Sequence, residues 1–342
     1  MKKKITIKDI ARAANVSIGT VDRVIHKRGK VSETALQKVN DALKELDYKP
    51  NPLARTLRNN VVYKINILIP NPAKDPYWVP CELGINAIIK EYEAFDIEIS
   101  VLLFDPTKPE SFSQIGNDLV EKGSDALLFV PLFEKESNFL LEKLNRKGIL
   151  TGTFNSLPSK HVDHYVGHDL FLSGRVAAKL VSDFIQPSSR IGIIHINEAF
   201  NNAIHMRQKE NGFRAYFKDH HVDCEILTKN INTSNVTEAL RNFISEEKVN
   251  IFFVTTSKTY EVALALKQLN KKATVVGYDL LPENVSCLQN GEIQFLIHQA
   301  PRLQASLSLK SLVEKLLFNK EFPKKQLLPI NIINSENIKS YL

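Results

Sequence analysis

From residue 62 onward, short β-rich apolar runs recur at near-regular intervals: "KINILIP", "EISVLLF", "DALLFVP", "GILTGTF", "HYVGHD", "RIGIIHI", "CEILT", "NIFFVTT", "TVVGYD" and "IQFLIHQ". Helical patterns separate most of them. Strands that are apolar on both faces belong to parallel sheets covered by helices on each side, because a half-exposed strand alternates polar and apolar residues. Ten such runs exceed one comfortable sheet, so two α/β lobes are expected. No stretch of about 18 apolar residues occurs, which argues against a membrane-spanning helix. The three cysteines, Cys81, Cys224 and Cys287, lie far apart and suggest neither a disulfide framework nor a metal site.

The first sixth of the chain has a different character. Residues 1–60 hold 14 Lys and Arg against 6 Asp and Glu, out of chain totals of 45 and 38. The whole basic excess therefore sits there, as expected of a segment that meets a polyanion. Thr6 and Asp9 form a capping-box-like start to a helix carrying Ile7, Ile10, Ala11 and Ala14. Asn15-Val16 reads as a tight turn, and Ser17 caps a second helix with Val21, Val24 and Ile25 on its apolar face. Two helices so short and so close must cross steeply, which is the helix-turn-helix geometry. Arg23 stands on the polar face with Ser17, Gly19 and Thr20, and the loop from His26 to Lys30 supplies cations for phosphates. Ser32 caps a third helix with Leu36, Val39, Leu43 and Leu46 along one side. Beyond Pro50, Asn51-Pro52 can open a further helix of about two turns, too short to stand alone in water. The competing reading is a three-helix bundle with a solvated basic face.

"TIKDIARAANVSIGTVDRVIHKRGKVS" followed by "LDYKPNPLARTLR" resembles the DNA-binding region of the lac-repressor (LacI/GalR) family of transcription regulators. The resemblance implies operator contacts at Thr6, Ser17, Ile18, Gly19, Thr20, Arg23, His26, Lys30, Asn51, Ala54 and Arg55, with Leu57 as a minor-groove wedge. It also implies a homodimer on double-stranded DNA. Gly19, Asp22 and His26 depart from the usual residues and bear on which operator is read. "VGHDLFLSGRVAAKLV", "GYDLLPENV" and "LLPINIINSENI" look like the effector domain of the same family and of periplasmic sugar-binding proteins. The implied fold is a small all-α helix-turn-helix domain followed by a two-lobed α/β periplasmic-binding-protein-like (type I) domain. Its limits are expected at 1–50 for DNA binding, 51–60 for a hinge helix and 61–342 for the effector domain. The first lobe is expected over about 61–160 plus 297–322, the second over about 163–294 plus 325–342, with three crossovers between them.

In such sheets, ligands sit beyond the carboxyl ends of the strands. Those ends carry Asp75, Tyr77 and Trp78, then Phe154-Asn155, His168-Asp169, Thr256-Ser257, Tyr278-Asp279 and His298-Gln299. Aromatic faces pack on sugar C–H faces, and carboxylates and amides bind hydroxyl pairs, so a neutral polyol such as a sugar is expected. For any single residue the bland alternative stands: Asp169 and Asp279 can cap helices, and Trp78 can be core. The family resemblance assigns ligand contact to Asp279, Gln299, Phe154-Asn155 and Arg207, and notes Ser257 and Lys258 where relatives carry Asn or Asp. The expected effector set is Asp75, Tyr77, Trp78, Phe154, Asn155, Arg207, Ser257, Asp279 and Gln299.

Together these features predict a cytoplasmic, sugar- or sugar-derivative-controlled transcription regulator, by default a repressor, with no cofactor, metal or membrane partner. An extracytoplasmic sugar receptor is the alternative, but no apolar signal segment follows "MKKKITIKDIARAANV". Ser257, His298 and Asp279 can be imagined as a triad, yet no G-x-S-x-G elbow, phosphate loop or H-E-x-x-H accompanies them. Catalysis is therefore not expected.

Overall fold

The structure is a computed structural model that describes residues 7–25, 29, 31–46, 62–196, 202–232 and 235–342. It divides into two units, Met1–Asn59 and Asn60–Leu342. Thr6, His26, Lys30, Asn51, Ala54, Arg55 and Leu57 lie outside the described residues, as does the stretch expected to form the hinge helix.

In the first unit, helices Ile7–Ala13, Ile18–Ile25 and Glu33–Glu45 surround a small core of Ile10, Ala11, Ala14, Val21, Val39 and Ala42. Asn15 takes φ +49° in the turn, a conformation that Asn tolerates better than most residues. The Ser17 hydroxyl accepts from the Thr20 backbone N–H at 3.1 Å, and Ser32 caps the third helix through Ala35 N. Leu36 departs from the expected stripe and is 42% exposed. The third helix turns Val39 and Ala42 inward, and the two short helices leave nothing to cover a side chain one turn nearer its start.

The second unit holds two six-stranded sheets. The first runs in the order β11-β5-β4-β3-β1-β2, built from β1 Tyr63–Pro70, β2 Ile97–Phe104, β3 Ala126–Phe129, β4 Leu150–Phe154, β5 His164–Gly167 and β11 Lys325–Leu327. The second runs β12-β10-β9-β8-β6-β7, from β6 Arg190–Ile196, β7 Glu225–Ile231, β8 Ile251–Val254, β9 Thr274–Tyr278, β10 Phe295–His298 and β12 Asn331–Ile333. All pairings are parallel except β10 with β12. The all-apolar runs occupy the sheet interiors: β3 "ALLF" and β8 "IFFV" are buried throughout. The outermost strands β2 and β7 keep many half-exposed or exposed residues.

Sheet membership redraws the lobe limits expected from sequence. β5 and β11 belong to the first sheet and β10 to the second. The crossovers therefore follow residue 167, span 299–300, and lie between 327 and 331. A short apolar run is compatible with either sheet, and only pairing decides which one it joins. Gln304 ties the second crossover down: its Oε1 accepts from Asn155 N at 2.8 Å, and its Nε2 donates to Gln299 O at 2.6 Å.

In the second lobe, helices Leu170–Ser182 and Ile204–Asp219 pack almost backbone to backbone. A Cβ placed on Gly174 would lie 2.0 Å from Lys209 O, and one on Gly212 would lie 1.9 Å from Phe171 O. This close approach brings Lys209 against the carboxyl ends of the second sheet. No helix among the described residues is long and apolar enough to cross a membrane.

Candidate functional site: an interlobe cleft

The carboxyl ends of strands from both lobes face a shared cavity. The first lobe contributes Lys74, Asp75, Tyr77, Trp78, Pro106, Thr107, Leu132 and Asn155; the second contributes His205, Lys209, Thr256, Ser257, Lys258, Asp279 and Gln299. The space open to the centre of a water-sized sphere is about 60 Å³. One water needs about 10–15 Å³ on that measure, so the cavity accepts a few waters or one small solute.

Seven residues expected from sequence line it: Asp75, Tyr77, Trp78, Asn155, Ser257, Asp279 and Gln299. Trp78 lies edge-on to Tyr77, with ring centroids 4.8 Å apart, and is 3% exposed. It serves both readings, core and cavity wall. Asp75 caps the short turn that presents the two rings, accepting from Tyr77 N at 3.1 Å. Asn155 Nδ2 donates to Tyr77 Oη at 2.8 Å. Burial, with the nearby Asp279 charge, pushes the Tyr77 phenol well above its usual range, so it stays protonated and able to donate.

Asp279 is the polar centre of the second lobe's wall. Its carboxylate accepts from Gln299 N at 3.2 Å and from Gln299 Nε2 at 2.7 Å. Burial raises its pKa against the opposing pull of Lys209 and His298. Asn155 and Asp279 both hold left-handed backbone, φ +71° and +67°. Such residues are uncommon, and here each turns its side chain off a strand end into the cleft. Asn284 fixes the Asp279 turn from behind, donating to the carbonyls of Ser257, Tyr278 and Asp279 at 2.7, 3.0 and 3.0 Å.

Two expected residues lie elsewhere. Phe154 is fully buried in the first lobe's core, because strand alternation sends it away from the face that Asn155 reaches. Arg207 pairs with Glu134 of the first lobe and is not part of the cavity wall. Asp169 caps helix Leu170–Ser182 through Leu172 N at 2.9 Å, the bland reading offered for it. His298 also lies outside the wall, and its Nδ1 is buried with no hydrogen-bond partner.

The cavity is more cationic than sequence suggested. Lys74, Lys209 and Lys258 all line it, where a site for a neutral polyol was expected. Lys74 is held by Asp105 at 2.5 Å, and the Lys74 bond keeps that carboxyl far below its ordinary range. Lys209 is 1% exposed, donates to Thr255 O at 3.0 Å and lies 3.6 Å from the Tyr278 ring centroid. Helix phase hid Lys209 and His205, which belong to the helix after β6 rather than to a strand end. Lys74, Pro106, Thr107 and Leu132 sit in loops whose direction sequence does not reveal.

In the first unit, Ser17, Ile18, Gly19 and Arg23 are exposed and Thr20 is half-buried. Ile18 is 43% exposed, an apolar side chain left open at the start of the second helix.

Residues 6–51 match the bacterial regulatory proteins of the lacI family, and residues 66–320 match the periplasmic binding protein domain. The chain joins a lacI-family domain to a periplasmic binding protein domain. It is 31% identical to catabolite control protein A of Staphylococcus xylosus over 150 residues, 44% of each chain. The match to the same protein of Staphylococcus epidermidis is 29% over 150 residues, again 44% of each. The matched segment thus spans less than half the length of these curated relatives. Among solved structures, a chain from Bacteroides fragilis assigned to the LacI transcriptional regulators superposes with a TM-score of 0.76 at 28% identity, covering 82% of this chain and all of that one. GanP, a glucose-galactose binding protein from Geobacillus stearothermophilus, superposes at 0.71 and 20% identity over 82% and 99% of the two chains, a likeness of fold.

Proposed function

We propose that this protein is a transcription regulator, by default a repressor, whose hold on a double-stranded operator is set by a sugar or sugar derivative bound between its lobes. The observation that carries this reading is the union, in one chain, of a basic capped helical unit with a cleft walled by Trp78, Tyr77, Asn155, Asp279 and Gln299. Ser17, Ile18, Gly19, Thr20 and Arg23 face the operator, the last as a fork for a guanine edge or a phosphate. The effector acts only through its different affinity for the open and closed lobes, which a homodimer transmits to both DNA-binding units. Such a protein works in the cytoplasm and has no catalytic turnover. Catabolite control protein A in its relatives and a glucose-galactose binder among its fold neighbours support a regulator with a carbohydrate effector.

Fluorescence anisotropy with duplexes from the gene's own neighbourhood, titrated with and without sugars and sugar derivatives, tests the proposal. Nanomolar, sequence-selective binding that a carbohydrate changes supports it. Carbohydrate binding with no selective duplex binding would instead identify a solute receptor.

A further inference from the structure

The hydroxyl of Thr256 is an anomaly at the second lobe's wall. Thr256 is 3% exposed and lines the cavity, yet its Oγ1 is buried without a hydrogen-bond partner. Buried polar groups are nearly always satisfied, so an unmatched one in a cavity wall marks a place for a ligand atom. It stands at the opening of the ten-residue helix Thr259–Gln268, whose N-cap is Lys258. Lys258 makes no side-chain cap bond, its carbonyl accepts from Glu261 N at 3.2 Å, and Ser257 and Lys258 both line the cavity. Asn284 Oδ1 accepts from Tyr260 N at 2.7 Å and steadies the first turn.

Helix N-termini carry partial positive charge, which suits an oxyanion, and Lys258 adds a full charge at the same point. Glu261 in the first turn feels the Lys258 charge; burial raises its pKa, and Lys258 and a hydrogen bond from Tyr260 pull it back down. Lys74 and His205 line the same cavity. The two carboxylates of the wall, Asp75 and Asp279, are outnumbered there by Lys74, Lys209 and Lys258.

We propose that the effector is a sugar bearing one anionic oxygen group, a phosphate ester or a carboxylate, which docks on Thr256, Ser257 and Lys258 at the start of helix Thr259–Gln268. Trp78, Asn155, Asp279 and Gln299 then hold its hydroxylated ring. This rests on the carbohydrate-effector reading above and sharpens it to a charged class.

Calorimetry and thermal shift on the full chain, using a panel of neutral monosaccharides, their phosphate esters and their uronic and aldonic acids, test it. An anionic derivative should bind at least about tenfold more tightly than its neutral parent, with a preference that shrinks as salt rises. Lys258→Gln, at a half-exposed position, should erase most of that preference, and Thr256→Val should weaken the anionic ligand several-fold. Phosphate esters ahead of acids, or the reverse, names the source of the anion, and either order supports the subsite. A neutral sugar binding as tightly as its charged forms, or a preference that survives Lys258→Gln, overturns the subsite and leaves the regulator standing. No binding by any carbohydrate overturns the effector reading itself.

Discussion

Arg207 of the second lobe and Glu134 of the first are ion-paired, their side chains 30% and 27% exposed. Beside them, Asn202 Nδ2 donates to Glu136 at 2.8 Å, and Asn202 Oδ1 accepts from Lys135 N at 3.1 Å. The start of helix Glu134–Arg146 and the residues around the start of helix Ile204–Asp219 thus clasp the lobes away from the cavity wall. A clasp that exists only while the lobes are together adds to the closed state alone.

Arg207→Ala should therefore favour the open lobes. A partly exposed pair is worth roughly 0.2–1 kcal/mol, so the apparent effector affinity should fall about 1.5- to 5-fold. Glu134→Ala should do the same, and the double variant should add little more. Calorimetry in low and high salt measures this, and X-ray scattering reports the opening. Unchanged affinity in both single variants would remove the clasp from the mechanism.

The second unit should lose stability to acid in two stages. Burial, only partly offset near the Gln299 backbone, pulls His168 from 6.5 down to about 4. The unfolded chain then takes up that proton first. The associated stability is complete above about pH 6.5 and is lost as pH falls towards 4. For Glu210, burial alone would raise the carboxyl, but hydrogen bonds from His195, Thr228 and Arg214 outweigh it and hold the pKa at about 2, against an ordinary 4.5. Its contribution, on the order of 3 kcal/mol at neutral pH, is present above about 4.5 and disappears below it. Thermal melts from pH 8 to 3 should show both steps. Glu210→Gln should shrink the lower step, which Asp105 shares, and His168→Gln the upper, which His164 and His298 share because burial lowers them too; a step of unchanged size in its variant contradicts the assignment.

Gly212→Ala should cost about 1–3 kcal/mol, because the new Cβ would meet the Phe171 carbonyl carbon and oxygen at 2.8 and 1.9 Å. Backbone cannot swing aside as a side chain can. Since helix Ile204–Asp219 carries Lys209 and His205 to the cavity, effector affinity should drop as well. Chemical denaturation and calorimetry on one preparation separate the two effects. Wild-type stability in the variant would mean that the helices can part freely.

Arg23→Ala should weaken operator binding by about 1–3 kcal/mol if the guanidinium reads a base, with specificity relaxed at one position. If it holds only a phosphate, binding should weaken on every duplex alike, and the salt slope should fall by about one. Effector affinity should stay unchanged in either case. Equal operator affinity in variant and wild type would exclude Arg23 from the interface.

The sequence by itself determined where the strands lie and which of their ends carry chemistry. Doubly apolar runs such as "ALLF" and "IFFV" can only be interior strands, and polar residues directly after them, Asn155 after β4 and Asp279 after β9, must stand at sheet ends. Caps were legible too, at Ser17 and Ser32, because they depend on neighbours within a few residues. Tertiary structure alone decided which sheet each short run joins, that Phe154 turns into the core while Asn155 turns out, and that Lys209 reaches Thr255 and Tyr278. The same is true of Arg207 meeting Glu134, 73 positions away in the chain. Local propensities act over a few residues, whereas these outcomes depend on strand pairing and on how closely two glycine-bearing helices approach. The cationic character of the cleft belongs to that second group, since its three lysines come from three separate segments that only the closed fold brings together.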